Sequence, residues 1–120
     1  MNLSQEERLS FYKKIGINFK QVLDIGAYEG HWKSMFKNIY PDSEVLMIEA
    51  NKDKENILKS KGSYFIGLLS SEDNKEVDYF KCNSPKTPQT GNSIFLENTS
   101  HKFIPEKRKT TKLFRSNRCI

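Results

Sequence analysis

The segment Gln21-Val22-Leu23-Asp24-Ile25, broken by Gly26-Ala27-Tyr28-Glu29-Gly30, constrains this chain most. A short apolar run that enters a tight, glycine-bounded turn reads as a buried strand and its loop. From His31 to Tyr40, residues Trp32, Met35, Phe36 and Ile39 recur at helical spacing, and Pro41-Asp42 stops that helix. Val45-Leu46-Met47-Ile48 is the continuous apolar run of a strand covered on both faces, ending at Glu49. Asn51 or Asp53 can cap a second helix running to about Lys61, with Ile57 and Leu58 inward and Gly62 as its stop. Tyr64 to Leu69 reads as a third strand. Strand, helix, strand, helix, strand at this spacing predicts an α/β fold with a doubly wound sheet.

Around that unit the signals are sparser. Ser4-Gln5-Glu6-Glu7 fits a capping box, so a helix is expected from about Gln5 to Lys14, ended at Gly16. Ser70 to Asn74 is a turn. Val77, Tyr79 and Phe80 suggest a fourth strand. Cys82 to Asn92 reads as a loop, and Ser93-Ile94-Phe95-Leu96 as a further short strand or a bend. Beyond about Pro105 the periodicity stops. The expected organisation is an N-terminal helix in 1–20, a partial domain in 21–104 and a basic tail, aberrant or disordered, in 105–120.

Charge and composition narrow the functional classes. At 120 residues and 36 % apolar content the chain is one domain at most, with a lean core. The net charge is +5, but seven basic residues and one acid, Glu106, lie between Lys102 and Ile120. The basicity is therefore a tail on a near-neutral body. Lys107-Arg108-Lys109 reads as a solvated charge run. A nucleic-acid surface needs basic residues on a folded face with aromatics to stack on, and the tail shows no such pattern, so a nucleic-acid partner is not expected. No apolar run nears the ~18 residues of a membrane helix. The start lacks the basic and apolar regions of a secretion signal. Cys82 and Cys119 read as reduced thiols with no zinc spacing. The expected location is cytoplasmic, with no membrane partner and no metal site.

The chemistry sits in the glycine loop. Ligands of open α/β sheets bind beyond the carboxyl ends of the strands. Here those ends are Asp24-Ile25-Gly26 and Ile48-Glu49. An acid closing the second strand can accept both hydroxyls of a ribose, so the pair suggests an adenosine-type cofactor site. The dinucleotide fingerprint would place its second glycine at Tyr28, where a ring obstructs close approach of a pyrophosphate. Glu29 adds negative charge where an anion would sit. No Gly-Lys-Ser/Thr follows, which excludes a P-loop. S-adenosylmethionine carries no phosphate, and its sulfonium tolerates acidic surroundings. Asp24, Gly26 and Gly30 match the spacing of a methyltransferase first motif. The pattern alone leaves open another nucleotide binder or a purely structural turn. Tyr28 either lines the cofactor pocket or stands as an exposed loop aromatic. Trp32 reads as core, and His31 as a surface residue of the first helical turn.

Val22 to Trp32 strongly resembles the first motif of the FkbM family of S-adenosylmethionine-dependent methyltransferases. Tyr40 to Ala50 resembles that family's second strand with its terminal acid, Leu68 to Val77 the segment after the third strand, and Thr90 to Thr99 the stretch that follows. The resemblance implies a Rossmann-like, class I methyltransferase fold, here its N-terminal half only. It implies that Gly26, Ala27 and Gly30 shape the loop around the methionine part, and that Asp24 fixes that loop near the cofactor's amino group. Glu49 would hold the ribose, Ala50 and Asn51 would lie along ribose and adenine, and Leu69 and Ser70 would flank the adenine. The implied reaction is O-methylation of a sugar or other small metabolite. No residue of the sequence stands out as a catalytic base.

After Leu113 the family pattern is lost. An acidic motif and the later strands that family members usually carry next do not follow, and the expectation is a truncated, inactive chain with an open strand edge that favours self-association. The alternative is a non-catalytic nucleoside-binding half-domain, or a module completed by a partner.

Overall fold

In the computed structural model, residues 2–82, 103–112, 114–115 and 118–119 are described. Helix α1 spans Gln5–Lys14 and starts as its capping box dictates. The Glu7 amide donates to Ser4 Oγ at 3.1 Å, and the Ser4 amide to Glu7 Oε2 at 2.8 Å. Then follow β1 (Gln21–Ile25), α2 (His31–Ile39), β2 (Glu44–Glu49), a 3₁₀ turn at Lys52–Lys54, α3 (Glu55–Lys61) and β3 (Tyr64–Ile66). These elements form a first compact unit, residues 1–66.

The sheet of this unit is parallel throughout, in the order β1-β2-β3. Val22 pairs with Val45, Asp24 with Met47 and Glu49 with Ile66. Alternation along a strand then puts Val22, Val45 and Met47 on one face. The helices cover that face. Leu9 of α1 and the α2 aromatics pack with Val22 and Val45, and Leu58 of α3 packs with Met47, Tyr64 and Ile66. Trp32, Phe36 and Tyr40, four residues apart, stack in one ridge with ring centroids 4.9 and 5.2 Å apart. Trp32 is thus core, as its spacing predicts. Leu23 and Ile25 of β1 point to the opposite face and are exposed.

The second unit, residues 67–120, has its own pairings. Strand β4 (Leu68–Leu69) runs parallel to β6 (Phe103–Thr111), and β5 (Glu76–Cys82) runs antiparallel to it. Two short strands, β7 (Phe114–Arg115) and β8 (Arg118–Cys119), pair with each other. The class is mixed α/β, with small sheets and three α-helices among the described residues.

Two expectations need correction. Tyr64–Leu69 is not one strand. Ile66 is the register partner of Glu49, where β2 ends, so the chain beyond it has no partner in that sheet. It passes Gly67 and pairs with Thr110 and Thr111 instead. The described part of the presumed basic tail is not disordered either. Lys107, Arg108 and Lys109 lie in β6, with Arg108 buried between two exposed lysines. Its guanidinium lies over the Tyr79 ring at 5.2 Å, and Lys107 pairs with Asp78 at 2.8 Å. A run of charges hides the period-2 signal, because Arg and Lys score alike until a partner strand selects one of them for burial. The loop from Asn83 to Asn92, the segment Ser93–Leu96 and the resemblance at Thr90–Thr99 lie outside the described residues.

Candidate functional site

The carboxyl ends of β1 and β2 are tied together by the glycine loop. The Gly26 and Ala27 amides both donate to the Ile48 carbonyl, at 2.8 and 3.0 Å. The Tyr28 amide donates to Glu49 Oε2 at 2.7 Å, and the Gly30 amide to the Ala27 carbonyl at 2.8 Å. These four donors are committed within the unit. A phosphate cradle needs such amides directed at the ligand, and these four are turned to protein acceptors instead.

Gly30 caps α2 in the left-handed region, with φ of +81°. A Cβ there would come within 2.8 Å of Lys61 Cδ and 3.3 Å of Met47 Sδ. The positive φ is what calls for glycine here, and a side chain would also have to displace those of Lys61 and Met47. Tyr28 is also left-handed, at φ +53°. A non-glycine residue there costs about 1–2 kcal/mol, which its bond to Glu49 helps to offset.

Glu49 is the hub. Its Oε2 accepts from Tyr28 and its Oε1 accepts from the Asn51 amide at 3.1 Å. Each carboxylate oxygen has two lone pairs, so one on each remains for a ligand. Asn51 is fully buried; its Oδ1 accepts from the Asp53 amide at 3.0 Å and caps the 3₁₀ turn, while Nδ2 has no partner. Asp24 Oδ2 is likewise buried without a partner. Burial, and then the neighbouring Glu49 charge, push the Asp24 carboxyl above its ordinary pKa. Among the described residues, Asp24 Oδ2 and Asn51 Nδ2 are the buried side-chain polar atoms left unpaired, and both belong to the set that the resemblance implies.

Lys54 is a participant that the sequence reading missed. Its ammonium bonds Glu29 Oε2 at 2.9 Å and lies 4.5 Å from the centre of the Tyr28 ring. Nothing local signals this, because the pairing of β1 with β2 is what brings residues 25 apart in sequence together. The Lys54 hydrogen bond holds the Glu29 carboxyl below its usual range, and the same bond raises the pKa of Lys54. His31 is largely exposed, with Nε2 3.5 Å from Glu29 Oε1.

The structure thus brings together Asp24, Gly26, Ala27, Tyr28, Gly30, Glu49 and Asn51 in the first unit, with the half-buried Ala50 between the last two. Leu69 and Ser70 belong to the second unit, where Leu69 pairs with Thr111 and the Ser70 amide donates to the Thr111 carbonyl at 2.9 Å. Among the described residues no group of three or more His, Cys, Asp or Glu could hold a metal ion, and no helix is long and apolar enough to cross a membrane. No family model matches the chain, and comparison with curated proteins and with solved structures likewise finds no match.

Proposed function

We propose that the first unit is the cofactor-binding part of an S-adenosylmethionine-dependent methyltransferase of the FkbM type, with a Rossmann-like sheet. The observation that carries the reading is the Glu49 carboxylate. It closes β2, grips the glycine loop through the Tyr28 amide and keeps a free lone pair on each oxygen. The parallel order β1-β2-β3, with both helical crossovers on one face, is consistent with such a sheet. The resemblance at Val22–Trp32 and Tyr40–Ala50 points the same way.

The residues fit the group. Asp24 Oδ2 lacks a donor and Asn51 Nδ2 lacks an acceptor. An adenosyl amino acid offers an ammonium, two ribose hydroxyls and ring nitrogens, which are the complements of Asp24, Glu49 and Asn51. When bound, S-adenosylmethionine supplies a methyl group activated by its sulfonium, for in-line displacement by an acceptor oxygen. The chain's part is to bind and orient. Glu49 accepts from the ribose hydroxyls, Asp24 faces the ammonium, and Gly26, Ala27 and Gly30 let the backbone come close. The acceptor is a sugar or other small metabolite.

Calorimetric titration with S-adenosylhomocysteine, NAD and ATP tests this reading. The expected result is binding of the phosphate-free ligand alone. Glu49→Ala should weaken it by ~1–3 kcal/mol, the scale of lost charged hydrogen bonds. Glu49→Gln keeps an acceptor for the Tyr28 amide and separates the loss of charge from loosening of the loop. NAD or ATP binding as tightly, or unchanged affinity in a folded Glu49→Ala variant, would overturn it.

A further inference from the structure

Tyr28 and Glu29 are adjacent loop residues whose side chains meet one cation. Lys54 Nζ is 2.9 Å from Glu29 Oε2 and 4.5 Å from the Tyr28 ring centre, and its side chain is 15 % exposed. Lys54 ends the 3₁₀ turn that Asn51 caps, a few residues beyond Glu49. The two sides of the site are therefore joined at three points: Tyr28 N–H to Glu49, Lys54 to Glu29, and Lys54 to the Tyr28 ring. The bond to Glu49 holds the Tyr28 backbone in its left-handed conformation, and the two Lys54 contacts hold the side chains around it.

We infer that Lys54 is a positioning residue of the adenosyl site, a latch that orders the Tyr28–Glu29 corner before ligand arrives and commits the nearest cation to Glu29. This rests on the reading of the site given above and adds how the loop is held. A loop ordered in advance loses less entropy on binding. The groups facing Glu29 are Lys54 and His31, and those facing Lys54 are Glu29 and Tyr28. Acid that protonates Glu29 removes its charge and opens the latch from that side.

The test uses the full chain as wild type, Lys54→Met and Lys54→Arg. Binding of S-adenosylhomocysteine is read by calorimetry at neutral and acid pH. Exchange of the Tyr28 amide is read by NMR without ligand. Lys54→Met should weaken binding by up to roughly tenfold, the scale of ordering a side chain on binding, and should speed Tyr28 exchange. Lys54→Arg should restore most of both. Wild-type affinity should fall in acid, through Glu29, more steeply than that of Lys54→Met. Equal affinity, equal exchange and equal pH profiles in wild type and Lys54→Met would overturn the latch while leaving the adenosyl reading intact. Wild type that binds no adenosyl ligand, yet whose Tyr28 exchange still depends on Lys54, would overturn the adenosyl reading and Lys54's role in it.

Discussion

Asp24 carries a charge that its surroundings oppose. Burial and the Glu49 carboxylate both raise its pKa, so the folded protein holds the Asp24 proton more tightly than the unfolded chain does. The consequence for stability has a definite sign. Below the ordinary value of 3.8 the group is protonated in both states and costs nothing. As pH rises through the raised value, the charge forms in the folded state and stability is lost. Asp24→Asn should therefore melt with wild type in acid and above it at neutral pH, as measured by calorimetry without ligand. A variant less stable than wild type at neutral pH would mean that the carboxylate already has a favourable partner. Tyr28 shows how far one residue can be read in advance. A ring where the fingerprint has glycine was legible as a departure from dinucleotide sites. Its left-handed backbone was not, because that conformation is held by Glu49 and lies beside Lys54, neither of them near in sequence.

At the scale of elements, local chemistry sets what forms and partners set what pairs. The capping box starts α1, Asn51 caps the turn before α3, and the aromatic repeat of α2 builds its ridge; these signals act within about four residues. The β6 strand had no such signal. It pairs with β5 and β4, and its Thr110 is buried. The Thr110 hydroxyl accepts from the Lys75 amide at 3.1 Å and donates to the Glu72 carbonyl at 2.6 Å. Thr110→Val keeps the shape and leaves both backbone groups unpaired, so it should destabilise the second unit by ~1–3 kcal/mol. Urea denaturation followed by far-ultraviolet circular dichroism would show a lower midpoint. An unchanged midpoint would mean that water replaces the hydroxyl without cost.

At the scale of the molecule, the chain falls into two units with separate sheets. The chain's single tryptophan, Trp32, packs in the first of them, so its fluorescence reports that unit. S-adenosylhomocysteine at a hundred times its dissociation constant should stabilise the Trp32 transition by about 2.7 kcal/mol. A transition that ligand does not move would set the site reading aside. The elements from Ser4 to Lys61 were legible because caps, glycine stops and apolar periods are written in neighbouring residues. So were the glycine loop and its partner acid, each at the end of an apolar run. The break at Gly67, the burial of Arg108 between two exposed lysines, and the meeting of Lys54 with Glu29 were decided by strand register. Register is set where distant segments bury surface against each other, and no short window of residues encodes that choice.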